Sequence, residues 1–447
     1  MAAGIQPPRD ICLVACLVAA ATAATTAAMA ADPPDAPAGK WFDWQTMTGD
    51  WGGLRTQLQN DGIDIVGHYV GEAAGNPVGG VEQGGAYADE FGLGADISSK
   101  LFGWNGGTVH ALITERAGSD LSKDKIGNIL TVQEIYGDGQ TVRITQLSYE
   151  QKLFDGVVDL EAGKINTENN FATSSKYFGS SLYCNFQSNA ICGTPIAAPI
   201  NSNGYVAYPA AALGGRAQVN LTPHVYLDSG AYEVNPSLFA AKNGFKLGTS
   251  GAQGVFTTVE VGTTPNIMGM QGNYRVGGYY DNSSNRAVVG QATRFLPPNS
   301  PVLGMLPSAD VAGRNGFWVL ADQQVQADGP KTGTVLFTAL EYGDHDTALV
   351  TWFGEAGVLR HGTFPGRDGD SIALGFAVAA INNQLLEFER AHNVPGTAQE
   401  FVTELNYGVA AAPWWVVRPG VQYVWHPSGE DERRNALVLM LKTSVTF

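Results

Sequence analysis

The chain has 447 residues, only 15% of them charged, with 56 glycines and a net charge of −16. Soluble proteins ordinarily carry about 25% charged residues, so the deficit favours a setting in which much of the surface meets lipid. The excess of 42 acidic over 26 basic side chains, without a basic run, argues against nucleic acid as a partner.

Arg9 precedes an apolar stretch from Ile11 to about Ala24, and Ala28-Met29-Ala30 offers a small-x-small cleavage site. Residues 1–30 are therefore predicted to be a secretory signal peptide. Cys12 and Cys16 would leave with it, which leaves Cys184 and Cys192 as one close pair in a compartment that permits oxidation. A disulfide between them is expected in preference to a metal or redox site, with two free thiols as the plain alternative.

Residues 31–62 are predicted to form a periplasmic segment, linker-like at first and then carrying a short helix. Asp50 is placed to cap the helix, Trp51, Leu54 and Leu58 form an apolar stripe, and Gly62 can end it. Such a helix either packs on the remainder of the chain or partly plugs a pore mouth.

From Ile63 onward the sequence alternates with period two. Roughly sixteen segments fall at about 63–72, 86–98, 107–116, 142–152, 156–166, 212–221, 224–233, 253–262, 272–281, 315–326, 332–342, 346–358, 371–381, 400–410, 414–425 and 435–447. Most have the roughly ten residues that a tilted strand needs to cross hydrocarbon. The last is the clearest: Leu437, Leu439, Leu441, Val445 and Phe447 share one parity, while Lys442, Ser444 and Thr446 take the other.

Connections after even segments are mostly tight, as at Phe154-Asp155-Gly156 and Asp328-Gly329-Pro330, whereas 117–141, 167–211, 282–314 and 382–399 are long. That asymmetry, the even strand count and the aromatic terminus predict an all-β fold: a sixteen-stranded antiparallel transmembrane β-barrel over residues 63–447, with a short N-terminal helix. The short Gly343-Asp344-His345 connection and the long one at 359–370 break the asymmetry. A soluble, secreted sugar-binding β-protein is the rival reading from another class.

Parity also assigns faces. Ile63, Ile65 and Tyr69 oppose Asp64, His68 and Glu72; Phe91, Leu93 and Ile97 oppose Glu90 and Asp96; Val109, Ala111 and Ile113 oppose His110, Thr114 and Arg116. A basic side chain facing lipid at mid-bilayer costs about 2–4 kcal/mol, so the charged faces point to the lumen. The candidate pore-lining set is Glu72, Glu90, Asp96, Arg116, Arg143, Arg275, Trp318, Glu404 and Arg418. These charges either neutralise one another and hydrate the wall, or grasp vicinal hydroxyls through guanidinium forks and carboxylates, with Trp318 stacking on a ring face. The 167–211 connection is long enough to fold inward and narrow the lumen.

Two stretches carry a family resemblance. Met47-Thr48-Gly49-Asp50-Trp51-Gly52-Gly53-Leu54-Arg55, followed by Gly62-Ile63, resembles the opening segment of the OprB-type carbohydrate-selective porins. Arg418-Pro419-Gly420-Val421-Gln422-Tyr423-Val424-Trp425-His426-Pro427-Ser428-Gly429 resembles that family's penultimate-strand signature. Gly420 stands where the family more often has an acidic or amide residue, and Ser428 where it often has glycine. The resemblance implies a bacterial outer-membrane channel for passive uptake of monosaccharides, glucose above all. Its partners would be a small carbohydrate and outer-membrane lipid, with assembly into a homo-oligomer in view. A general or cation-preferring porin is the nearest alternative.

Nothing in the sequence calls for catalysis, a cofactor or a metal. There is no His-Glu-x-x-His, phosphate-binding loop or Gly-x-Ser-x-Gly run, and the seven histidines are scattered. Asp344-His345-Asp346 and Arg367-Asp368-Gly369-Asp370 read as turn chemistry rather than calcium loops.

Overall fold

The computed structural model describes residues 40–447 except 136–139, 174, 179, 193–194, 291–309, 393–395, 397 and 431–432. The predicted signal peptide lies outside the described residues. Sixteen antiparallel strands close into a ring: β1 Ile63–Val78, β2 Gly84–Ser98, β3 Gly107–Gly118, β4 Val142–Leu153, β5 Val158–Ile165, β6 Ala212–Thr222, β7 Val225–Val234, β8 Gly254–Thr263, β9 Met270–Arg286, β10 Asp310–Gly329, β11 Thr332–Gly343, β12 Val350–His361, β13 Ser371–Ile381, β14 Gln399–Ala412, β15 Trp415–Trp425 and β16 Ala436–Thr446. Each pairs with its sequence neighbours, and β1 closes the circle on β16, with Tyr69 opposite Val445 and Glu72 opposite Lys442. Closure leaves no unpaired sheet edge in hydrocarbon, which is the condition for spanning a bilayer with strands. Among the described residues no helix is long and apolar enough to cross a membrane.

The outward parity is greasy where a soluble protein would be polar. Leu93, Val276, Leu336, Leu340, Leu374, Leu439 and Leu441 are all exposed, Leu439 by 57%. A continuous apolar belt of this kind marks a lipid-facing wall. Aromatic rings gather near its margins: Phe317, Tyr342 and Trp352 pack at 4.9–6.0 Å on one rim, as do Trp41, Phe42, Trp414 and Trp415 at 4.6–6.2 Å on the other. Such amphipathic rings suit the headgroup level.

Both breaks in the loop asymmetry are real. The connection after β11 closes on an Asx turn, in which Asp344 Oδ1 accepts from the Asp346 and Thr347 amides at 3.1 Å each. The connection after β12 is held by a bidentate pair, Arg367 Nε and Nη2 to Asp370 at 2.8 and 2.6 Å. These contacts bear on the two acidic turns: their carboxylates serve the local backbone and guanidinium.

The short helix α1, Leu54–Asn60, lies against the seam of β1 and β16. Asp50 Oδ1 accepts from the Thr56 amide (2.9 Å) and hydroxyl (2.8 Å), and so satisfies the helix start from across a tight turn. The expected apolar stripe is not the packed face: Trp51 and Leu54 are 41% and 37% exposed, and Arg55 is the buried residue. Arg55 Nη2 donates to Ile65 O (2.8 Å) and to the terminal Phe447 O (2.6 Å), while Nη1 donates to Thr46 Oγ1 (2.9 Å). The helix therefore fastens the closing strand. A cleft bounded by Met47, Trp51, Phe91, Leu93 and Phe447 puts this segment beside the outer wall, because Phe91 and Leu93 face outward. It does not plug the pore mouth.

Candidate functional site

The inner wall has two unlike halves. On β10–β16 buried apolar side chains dominate the inward face, among them Leu320, Val335, Phe337, Ala339, Phe353, Leu359, Ala373, Ala377, Val402, Val424 and Val438, with Glu341, Glu400, Glu404, Arg418 and Lys442 buried between them. On β1–β9 they include Glu72, Glu90, Asp96, Arg116, Glu150, Asp159, Glu161, Arg216, Asp228, Glu260 and Arg275.

The apolar half is covered by a strap, the long connection 166–211. Phe186 packs edge-on against Phe337 at 5.6 Å, and Tyr205 packs edge-on against Phe256 (6.0 Å) and Trp318 (6.4 Å). The wall is shaped to admit it: a Cβ at Gly375 would lie 2.9 Å from Phe186 and Ile191 atoms. The departure from the family pattern at Gly420 has a similar cause, since a Cβ there would meet Asn406 and Met440 at 2.7 Å. Ser428 sits at φ 58°, in the left-handed region where glycine is the unstrained residue.

Carboxylates in the wall hold the strap and its neighbour 119–141 by their backbone N–H groups. Glu404 accepts from Gln187 N at 3.0 and 3.1 Å and from Ser188 N at 2.7 Å. Glu400 accepts from Ile129 N (2.8 Å) and Leu130 N (2.6 Å), Glu72 from Glu134 N (3.0 Å), and Glu341 from Ala197 N (2.8 Å). Arg418 Nη2 donates to Asn185 Oδ1 (3.1 Å), and Lys442 Nζ to Phe186 O (2.8 Å). Charge-assisted bonds to a buried backbone are among the stronger polar contacts available to a protein.

This arrangement corrects several expectations. Cys184 and Cys192 are free thiols, so the expected disulfide is absent; the inward fold of 166–211 relies on wall carboxylates and apolar packing, and Cys192 instead turns its thiol to Glu134. Trp318 is fully buried and donates Nε1–H to Glu260 at 2.8 Å, so neither face of its ring is open to a solute. Glu72, Glu404 and Arg418 point inward but are covered by the loops they hold. Arg143 is likewise covered, with Nη1 donating to Leu238 O at 3.2 Å.

The polar half carries three charged groups in succession around the wall. In the first, Glu90 accepts from Arg116 Nε, His68 Nε2 (2.8 Å) and the Tyr208 hydroxyl (2.7 Å), while the Arg116 guanidinium lies over the Tyr208 ring at 5.3 Å. Tyr208 reaches this group from the end of the strap. In the second, Arg216 lies among Glu150, Asp159, Glu161 and Asp228, and His110 bridges Asp96 Oδ1 (2.7 Å) and Glu150 Oε2 (3.6 Å). In the third, Glu260 accepts from Tyr226 OH (2.8 Å) and faces Arg275 Nη1 at 3.9 Å. Glu90, Asp96, Arg116 and Arg275 were expected from parity. Glu150, Asp159, Glu161, Tyr208, Arg216, Asp228 and Glu260 were not singled out. All but Tyr208 carry the inward parity of their strands, so a complete face assignment would have found them; Tyr208 lies in a loop and gives no such signal.

This wall offers guanidinium donors, carboxylate acceptors, phenols and imidazoles within one lumen, the chemistry that hydroxyl-rich solutes need. Among the described residues no group of histidine, cysteine and acidic side chains is placed to hold a metal ion.

The similarities agree with this architecture. A family model described as carbohydrate-selective porin, OprB family, matches residues 82–447. Porin B of Pseudomonas aeruginosa is 34% identical over 441 residues, covering 92% of each chain. The high-pH structure of Pseudomonas putida OprB superposes with a TM-score of 0.84 at 32% identity, over 92% of this chain and 100% of that one. The low-pH structure of the same protein gives 0.58 at 27% identity, over 91% and 99%. A closed barrel with a greasy belt, a polar inner wall and these relatives together place the chain in the OprB family of carbohydrate-selective porins, channels of the bacterial outer membrane.

Proposed function

We propose that the channel passes neutral monosaccharides, glucose among them, by passive diffusion along the polar wall of β1–β9. The observation that carries this reading is the opposition of that wall to a strap that fills the other half of the lumen. The strap narrows the path, and the remaining surface presents His68, Asp96, His110 and Arg275, with Glu90 and Arg116 just behind them under Tyr208. A guanidinium fork and a neighbouring carboxylate can exchange water hydrogen bonds for those of a vicinal diol at little net cost. Millimolar affinity corresponds to only about −4 kcal/mol, weak enough for release as well as capture. No bond is made or broken in this reading, and the protein is not an enzyme. In the same reading residues 1–30 are removed on export.

The test is liposome swelling with the purified protein. Glucose is expected to enter faster than solutes of equal size that lack its hydroxyl pattern, and to reduce ion current in planar bilayers. Swelling that tracks solute size alone, with no effect of glucose on current, would overturn carbohydrate selectivity. Arg116→Ala and Arg275→Ala are each expected to lower glucose flux; unchanged flux in both removes them from the sugar path.

A further inference from the structure

Glu90 and Arg116 set a carboxylate beside a guanidinium, a pair suited to a vicinal diol, yet neither is open to the lumen. Glu90 is 3% exposed and Arg116 7%. The residue that covers them is Tyr208, a part-exposed side chain at the end of the strap.

The wall is built to present this pair. Glu90 and Arg116 stand opposite one another across β2 and β3, and Arg116 Nε donates to Glu90 Oε2. His68 reaches the other oxygen of the same carboxylate from β1, at 2.8 Å. Its ring fits because residue 92 is glycine: a Cβ there would overlap the imidazole.

Tyr208 supplies from the strap what a hydroxyl-bearing ring would supply from solution. Its hydroxyl donates to Glu90 Oε1 at 2.7 Å and lies 3.4 Å from His68 Nε2. Its ring faces the Arg116 guanidinium, 5.3 Å from the centroid. Glu90 Oε1 already meets His68, so Tyr208 holds the remaining place on that oxygen. A phenol O–H and a sugar O–H are donors of one kind, and they compete for it.

The backbone that carries Tyr208 is fixed, so the side chain is the part that can yield. Tyr208 N donates to Glu168 at 2.9 Å, Thr167 N to Val206 O at 2.9 Å, and Val206 N to Thr167 Oγ1 at 3.3 Å. These bonds close the neck of the strap, where it leaves β5 and returns to β6. Turning one ring about a held backbone needs no movement of the strap.

Resting on the reading of this lumen as a sugar path, we infer that Tyr208 is a specificity-determining residue: a seated hydroxyl that a solute must replace. A solute with hydroxyl donors takes the place of the phenol on Glu90 as the ring turns aside. A solute without them leaves Tyr208 seated and meets a covered pair. Sugar then binds only the fraction of channels in which the phenol has left. A seat held in at least about two channels of three weakens apparent binding at least about threefold.

Glucose block of ion current in planar bilayers tests this on Tyr208→Phe, which keeps the ring and loses the hydroxyl. Half-block is expected at a glucose concentration at least about threefold below that of the parent. Equal or weaker block overturns the proposal, because the phenol is then a filler or a sugar contact in its own right. Should the variant not fold, the unmodified porin decides, through peptide-resolved nitration of Tyr208 by tetranitromethane. Glucose is expected to raise the nitration rate of Tyr208 at least about twofold by freeing the phenol; protection, or no change, refutes displacement. An equal rise with trimethylamine N-oxide, which has no donor, overturns the hydroxyl requirement. Equal glucose block in parent and variant leaves carbohydrate selectivity standing and removes Tyr208 from it, whereas absence of block in both defeats the two readings together.

Discussion

Glu404→Gln should loosen the strap without disturbing the barrel. Glu404 is fully buried on β14 and accepts from Gln187 N, Ser188 N and Asn406 Nδ2, the last two at 2.7 Å. Glutamine keeps one carbonyl acceptor and turns an NH₂ group toward backbone donors, so one amide of the strap loses its partner. A hydrogen bond to a charged group contributes about 1.5–3 kcal/mol, and an orphaned buried donor costs about 1–3 kcal/mol. Relief of the buried charge offsets part of this loss. The net weakening of the strap is then about 2–4 kcal/mol, which raises its detached population by roughly 30- to 700-fold. Lys442, Arg418 and the Phe186–Phe337 contact still hold its neighbours, so the loosening is local. Single-channel recording is expected to show larger and noisier openings and a raised size limit, with heat-modifiable gel mobility retained. Conductance, noise and exclusion limit identical to the parent would refute the role of this carboxylate as a strap anchor.

Further outcomes follow from other parts of the molecule. Arg55→Ala removes the donors to Ile65 O and Phe447 O; two charged hydrogen bonds at about 1.5–3 kcal/mol each should lower the temperature at which the barrel loses its compact gel mobility, with partial recovery in Arg55→Lys. Leu439→Arg puts a cation on the lipid face of β16, where the side chain is 57% exposed; a cost of about 2–4 kcal/mol should appear as reduced folding into lipid vesicles, whereas Leu439→Ile should fold normally. The third outcome concerns Glu389 on the helix Asn383–Ala391, in the cap beyond the barrel. Burial, then the charge of Glu430, pushes its carboxyl up from the ordinary 4.5 to about 7. A carboxyl raised in the folded state contributes fully below its unfolded pKa and loses that contribution as pH rises through the folded one. Hydrogen-exchange protection of 383–391 should therefore fall between about pH 4.5 and 7, and Glu389→Gln should flatten the dependence; protection that rises with pH would refute the assignment.

Much of this protein was legible from short-range pattern. Strand side chains alternate with a period of two, so Leu437, Leu439 and Leu441 on one parity and Lys442 on the other already state which face meets lipid. The energetic gap between a cation in hydrocarbon and one in water leaves that assignment no freedom. At the helix α1 the pattern points the wrong way because of the solvent: Trp51, Leu54 and Leu58 form a stripe that would be buried in water, but beside a lipid-facing wall the polar Arg55 is the residue packed against the barrel.

Parity gives a direction and no neighbours. It could place Glu72, Glu404, Arg418 and Trp318 inward, yet it could not tell open lumen from lumen filled by chain. That depended on where residues 166–211 fold, and on contacts such as Gln187 with Glu404 that lie 217 positions apart. The same holds for Arg216: its four carboxylates come from β4, β5 and β7, and only closure of the sheet and its register set them around one guanidinium. Alternation is a local property, written into each strand by the solvents on its two sides; which charges share a site is a property of the closed ring and of the loops that enter it.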